Sequence, residues 1–269
     1  MNAVAALSEP AAEAAIVAAC RALSLPTVRS EAIPLAETAA TAGLTHRGYL
    51  AEVLSLEVEE RATRRRARRI GEARFPRIKR LADFDMAAAP GVNPATVAAL
   101  ATGAWIDAGT PLCLIGDSGT GKSHLLIALG IAACEQGRRV RYTTCAALVN
   151  ELAEAADERA LSKVVGRYAR LDLLIVDELG YVSVDPRGAE LLFQILTERE
   201  ERASVAVGSN HPFSEWGATF ADPRLAAAVV DRMTFGAHII ETGTESYRLR
   251  TARAVKHPGL KPQKKETST

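Results

Sequence analysis

Residues 116 to 123 read Gly-Asp-Ser-Gly-Thr-Gly-Lys-Ser, a complete G-x-x-x-x-G-K-[ST] pattern. The chemistry open to such a run is the holding of a polyphosphate. Gly116, Gly119 and Gly121 admit backbone conformations that a Cβ forbids. The N–H groups from Gly116 through Asp117, Ser118, Gly119, Thr120 and Gly121 can then converge on phosphate oxygens. Lys122 adds a point charge for the β- and γ-phosphates, and the Ser123 hydroxyl is a ligand for Mg²⁺. A second centre follows 55 residues later, where Leu171-Asp-Leu-Leu-Ile-Val runs into Asp177 and Glu178. Asp177, at the tip of an apolar strand, can join Ser123 around the metal, and Glu178 can polarise a water for attack on the γ-phosphate. Asn210 ends a further apolar run, Val205 to Gly208 and then Ser209. It could hold the attacking water, or be an ordinary turn residue before Pro212. Arg232 could reach a phosphate in a neighbouring subunit, or be a solvated arginine at a helix end.

These groups need a scaffold that brings strand tips together. From Pro111 onward, strands and helices alternate. Leu112–Ile115, Arg139–Thr143, Leu171–Val176, Val205–Gly208 and His238–Glu241 read as strands. His124–Glu135, Ala146–Ala156, Glu158–Ala169, Gly188–Arg202 and Pro223–Met233 read as the helices between them. Alternation of this kind predicts an α/β fold with a parallel sheet covered on both faces. The first 85 residues read as helical instead: Ala11–Leu23, then Thr27–Ala42 interrupted by Pro34, then a long helix capped by Thr45 and broken by Pro76.

A chain of 269 residues allows a core domain and a smaller companion. The net charge of +1 hides an asymmetry, because Arg61 to Arg80 holds ten basic residues and one acid. Cys20, Cys113, Cys134 and Cys145 are far apart, with no metal spacing, and read as small apolar residues in a reducing compartment. The N-terminus shows no basic leader followed by an apolar run, and no segment approaches a membrane span. The expectation is a cytoplasmic protein with no membrane partner.

The order of motifs carries a resemblance. The phosphate loop, Val176-Asp-Glu-Leu-Gly, Ser209-Asn-His-Pro-Phe and Asp231-Arg-Met follow one another much as in AAA+ ATPases of the DnaC-like helicase-loader group. The chain is more similar still to the IstB-like transposition helper ATPases, in Asp177-Glu-Leu-Gly-Tyr181, Gly188-Ala-Glu-Leu-Leu-Phe-Gln194, Ser209 to Gly217, Leu225 to Arg232 and Glu245-Ser-Tyr-Arg-Leu-Arg250. Arg74-Phe-Pro and Asp83-Phe-Asp85 fit as well. The likeness spans roughly residues 20 to 252.

The resemblance implies a P-loop AAA+ core with a five-stranded parallel sheet in the order 5-1-4-3-2. A small all-helical N-terminal domain would precede it. Domains are expected at 1–80 and 81–252, with a basic tail at 253–269. Asn210 becomes the sensor, Arg232 the arginine acting in trans, and Lys122 and Glu178 the other catalytic groups. The implied cofactors are ATP and Mg²⁺. The implied partners are double-stranded DNA, a transposase, and further copies of the chain in an ATP-dependent oligomer. Hydrolysis would accompany handover of target DNA. Departures are Asp117-Ser118 where two prolines are frequent, Ser123 where Thr is common, and Gly208 where Thr is usual. No separate lid follows Arg250, leaving Arg248 as a weak second sensor. A replicative helicase loader and a nucleotide-gated DNA scaffold with little hydrolysis are the alternatives, and a metabolic kinase would need an acceptor site and lid that are not visible.

Arg61, Arg64, Arg65, Arg66, Arg68, Arg69 and Arg74 are the expected DNA contacts. A solvated charged helix usually interleaves acids, and this one does not. Few aromatics lie among the arginines, which favours the duplex backbone over stacked single strands.

Overall fold

The computed structural model describes residues 8–181, 183–220 and 222–247. The proposed second sensor Arg248, the end of the Glu245–Arg250 motif and the 253–269 tail lie outside these residues. The chain divides into two compact units, Met1–Arg68 and Arg69–Thr269, with the boundary inside a helix.

The first unit contains α1 (Glu9–Ala22), α2 (Pro26–Thr41) and most of α3 (His46–Ala73). Its small core gathers Cys20, Val28, Ala32 and Val53, with Leu25, Leu35 and Tyr49 against them. The start of α2 has no cap of its own, because Leu25 stands at the capping position. Glu57 of α3 supplies one. Its Oε2 accepts from the N–H groups of Thr27 (2.8 Å) and Val28 (3.1 Å), two donors that a helix start leaves without partners. Glu57 is 3% exposed. Burial alone would raise its pKa, but the two N–H donors and Arg61 outweigh that and hold it below its ordinary 4.5. Thr45 caps α3 as its sequence predicts, accepting from Gly48 N at 3.1 Å. The helix ends before Pro76, where Arg74 turns left-handed (φ 57°).

The second unit is a parallel five-stranded sheet between two helical layers. Its strands are β1 (Leu112–Ile115), β2 (Val140–Thr144), β3 (Leu173–Leu179), β4 (Ser204–Ser209) and β5 (His238–Glu241). The observed order, β2-β3-β4-β1-β5, is the expected one read from the other edge. Alternation along each strand sends Leu112, Leu114, Val140, Tyr142, Leu173, Ile175 and Ala206 to one face. There they meet α4 (Pro94–Ala101), α5 (Ala104–Asp107) and α6 (Lys122–Glu135). Cys113, Leu174, Val176, Val205 and Val207 go to the other face. That face is covered by α7 (Cys145–Asp157), α8 (Leu161–Ala169), α9 (Pro186–Arg199), α10 (Trp216–Thr219) and α11 (Pro223–Thr234).

All four cysteines are buried free thiols. Burial pushes those of Cys113, Cys134 and Cys145 up to about 12, so they act as small apolar side chains. Among the described residues, no helix is long and apolar enough to cross a membrane.

Candidate functional site

The phosphate loop joins β1 to α6. Gly121 occupies the capping position of α6 at φ 104°, with no side-chain cap, so the first N–H groups of that helix have no intrahelical acceptor and face the loop. Gly119 (φ 86°) is crowded as well as left-handed: a Cβ there would clash with the Ser246 hydroxyl. The segment after β5 braces the loop from behind. Asp117 N donates to Gly243 O (3.0 Å), Tyr247 N donates to Gly119 O (3.0 Å), and the Thr120 and Thr242 hydroxyls share a 2.6 Å hydrogen bond. Lys122 is buried, and its Nζ donates to Gly116 O (2.6 Å) and Asp117 O (2.8 Å). A phosphate oxygen in the loop would offer that ammonium a stronger acceptor than two carbonyls.

A cavity of about 410 Å³ opens beside the loop. Ser118, Gly119, Thr120, Gly121, Lys122 and Ser123 line it together with Asp177, Glu178 and Asn210. The other wall is Phe84, Ala88, Ala89 and His124, a surface suited to a base. Phe84 packs edge-on to His124 at 5.2 Å. Burial holds the His124 pKa below its ordinary value, so the ring is neutral at pH 7 and its Nε2 donates to Arg80 O (3.1 Å). These residues fit a nucleoside triphosphate with its metal: an uncapped helix start, a buried lysine, a hydroxyl and a carboxylate face one space.

The acidic pair reaches that space through a backbone irregularity. Along β3, Ile175 faces the α6 side and Val176 the other. Strict alternation would therefore send Asp177 toward α6 and Glu178 away from it. Instead the register with β4 shifts between Val176 and Leu179, and Glu178 takes the left-handed conformation (φ 61°). The bulge re-aims Glu178 so that both carboxylates line the cavity. A left-handed non-glycine residue costs about 1–2 kcal/mol, and such strain concentrates at working sites.

Asp177 is 2% exposed and held on three sides. Its Oδ1 accepts from Glu178 N (2.9 Å), and its Oδ2 accepts from the Tyr142 hydroxyl (2.7 Å). Gly208 closes the third side, since a Cβ there would clash with Asp177 Oδ1. Burial, and then the negative charge of Asp177, push the Tyr142 pKa up, so the phenol stays a donor. In the sequence Gly208 is only a departure, and Tyr142 has no evident role. The signal for Tyr142 is an aromatic hydroxyl in the strand that pairs with the acidic one, Thr144 opposite Asp177.

Asn210 sits on a rigid turn. Trp216, fully buried, donates from Nε1 to Ser209 Oγ (3.1 Å) and His211 O (3.2 Å). The Ser209 hydroxyl also donates to His211 O (2.8 Å). The Ser214-Glu-Trp-Gly stretch thus acts as a clamp on this turn.

Arg232 is elsewhere. It lines a separate cavity with Thr110 and Pro111, at the edge where the strands begin. The four residues of β1 put that edge roughly 13 Å from the phosphate loop. Its Nε lies 2.9 Å from Glu200 Oε2, its guanidinium lies over the Phe193 ring at 4.6 Å, and its Nη1 donates to Ala228 O (3.1 Å). The expected DNA contacts also part ways. Arg61 pairs with Glu57 and donates to Ser24 O (2.6 Å), while Arg64 donates to the Thr27 hydroxyl (2.9 Å). Both brace the helical unit itself. Arg65, Arg66, Arg68 and Arg74 are exposed, and Arg69 is half-buried.

Sheet order, phosphate loop and acidic strand tip together define an ATP-binding P-loop protein of the AAA+ fold. Residues 18–255 match the model of the IstB-like ATP-binding proteins, and the chain belongs to that family. It is 39% identical to an insertion-sequence ATP-binding protein of Sinorhizobium fredii over 88% of this chain and 80% of that one. It is 34% identical to an insertion-sequence ATP-binding protein of Geobacillus stearothermophilus over 87% and 93%. Among solved structures, DnaI is similar with a TM-score of 0.51 and 19% identity, over 61% of this chain and 90% of that one. AMPPCP-bound DnaA from Aquifex aeolicus gives 0.51 and 21%, over 71% and 58%. At these identities the likeness is one of fold.

Proposed function

We propose that this protein is an ATPase that assembles on duplex DNA and delivers target DNA to a partner transposase, hydrolysis accompanying the handover. The observation that carries this reading is the separation of Arg232 from the cavity. Lys122, Ser123, Asp177, Glu178 and Asn210 share one space, whereas the expected finger is held by Glu200 at the opposite edge of the sheet. An arginine so placed suits the cavity of another copy, and turnover would then depend on assembly. The insertion-sequence relatives support a role beside a transposase.

Within a protomer, Lys122 exchanges its two carbonyl acceptors for phosphate oxygens. Ser123 and Asp177 would hold Mg²⁺, Asp177 with its carboxylate fixed by Tyr142. The bound ion neutralises charge building on the phosphates. Asn210 orients the water and Glu178 accepts its proton. The neighbour's Arg232 stabilises the remaining charge, a contribution of about 10³–10⁵ in rate where arginine fingers serve GTPases.

A mixing experiment tests this. Lys122→Ala keeps the finger and loses the site, and Arg232→Ala keeps the site and loses the finger. Each alone should release almost no phosphate from ATP with duplex DNA, and their mixture should recover part of the wild-type rate. Full activity of Arg232→Ala, or no recovery on mixing, would refute action in trans.

A further inference from the structure

Another cavity, of about 290 Å³, lies around the free edge of β2 among charged side chains, and the proposed reaction makes no use of it. Six arginines line it: Arg69, Arg74, Arg139, Arg141, Arg167 and Arg170. Glu72 is the one acid among the described lining residues. The arginines come from three stretches, namely the end of α3, the start of β2, and α8 with its exit toward β3. Arg139 and Arg141, two residues apart on an extended segment, project to the same side.

Their partners divide them. Arg139 pairs with Asp172 at 2.9 Å, and Arg167 pairs with Glu151. Arg69, Arg74, Arg141 and Arg170 have no carboxylate at ion-pair distance among the described residues. The Nε of Arg69 is shut off from solvent and lacks a hydrogen-bond partner among those residues. Charged side chains on an edge strand also discourage edge-to-edge pairing. That explains Arg139 and Arg141, but not why α3 and α8 turn arginines toward the same groove.

The groove offers charge without a stacking surface. Tyr168, the only aromatic among the described lining residues, is 1% exposed with its hydroxyl on Glu151. Bases would find no ring to lie on, whereas phosphates would find a fork of donors at each arginine. We infer that this groove holds adjacent backbone phosphates of duplex DNA, which puts part of the DNA grip on the ATPase unit itself. The inference rests on the DNA-binding reading given above and adds a location that the arginine-rich run alone does not give.

The test is duplex binding by the full-length protein with a non-hydrolysable ATP analogue, followed by fluorescence anisotropy over a range of salt. Removing one arginine–phosphate pair should flatten the plot of log affinity against log salt by about 0.9. The variant Arg74→Ala/Arg141→Ala/Arg170→Ala should lower the slope by roughly 2 to 3 and keep wild-type affinity for the ATP analogue. The three single variants should each lower it by about 0.9, so the test survives if the triple variant folds poorly. A wild-type slope in all of them, with wild-type protein binding duplex, would remove the groove and leave the DNA reading intact. No duplex binding by the wild-type protein would remove both.

Discussion

The nucleotide cavity and the arginine groove solve the same problem, holding phosphate, by opposite constructions. The cavity takes six consecutive residues, Ser118 to Ser123, as one wall. The groove collects its arginines from stretches spread over about a hundred residues, Arg69 to Arg170. The difference lies in what donates. In the loop the backbone itself is the ligand, so the residues must be neighbours and some must be glycine. In the groove only side-chain charge is needed, and any element ending nearby can supply it. A contiguous site is therefore written as a motif, and a scattered one is visible only once the chain is folded.

Mutations sharpen that contrast. The largest effect is expected at the bulge: Glu178→Gln should cut turnover by roughly 10²–10⁴ while ATP binding persists. Unchanged phosphate release would take Glu178 out of the reaction. Trp216→Ala should cost about 3–5 kcal/mol on chemical unfolding and, by freeing the Ser209 turn, lower turnover beyond what stability explains. Retention of full turnover at a temperature where the variant is folded would show that the clamp is structural only.

Glu57→Gln should cost about 2–3 kcal/mol, because a buried carboxylate bonded to two N–H groups and an arginine is replaced by a neutral amide. Its lowered pKa fixes the pH window. The stabilisation is present above the ordinary value of 4.5 and is lost as pH falls through the folded value. The wild-type unfolding midpoint should accordingly fall below pH 4.5, with a weaker slope in the variant; identical slopes would remove Glu57 as the source. The smallest effect belongs to Tyr142→Phe, about 1 kcal/mol. It should appear as weaker Mn²⁺ or Mg²⁺ binding to the nucleotide complex, with metal-free ATP affinity unchanged. Equal losses with and without metal would reduce Tyr142 to a packing role.

Much of this architecture could be read before folding. β1 and β5 fall where the apolar runs predicted them, and the sheet order follows the family likeness. Thr45 announced its helix because a hydroxyl at a helix start has a local job. Other features depended on distant partners. α2 runs through Pro34, a residue that sequence alone treats as an interruption. The arginine run reads as uniform, yet Arg61 donates to Ser24 O and Arg64 to the Thr27 hydroxyl, each a partner 37 residues away in sequence. Nothing in the letters Asp-Glu reveals that the second carboxylate sits at φ 61°. Nor does a departure to glycine at 208 reveal that it clears space for Asp177.

The left-handed turn at Glu178 has an evolutionary corollary. Glycine would sit there without complaint and make the molecule sturdier by about 1 kcal/mol. A laboratory campaign rewarding heat tolerance alone would be drawn to that codon, and its winners would be durable proteins lacking the second carboxylate of the cavity.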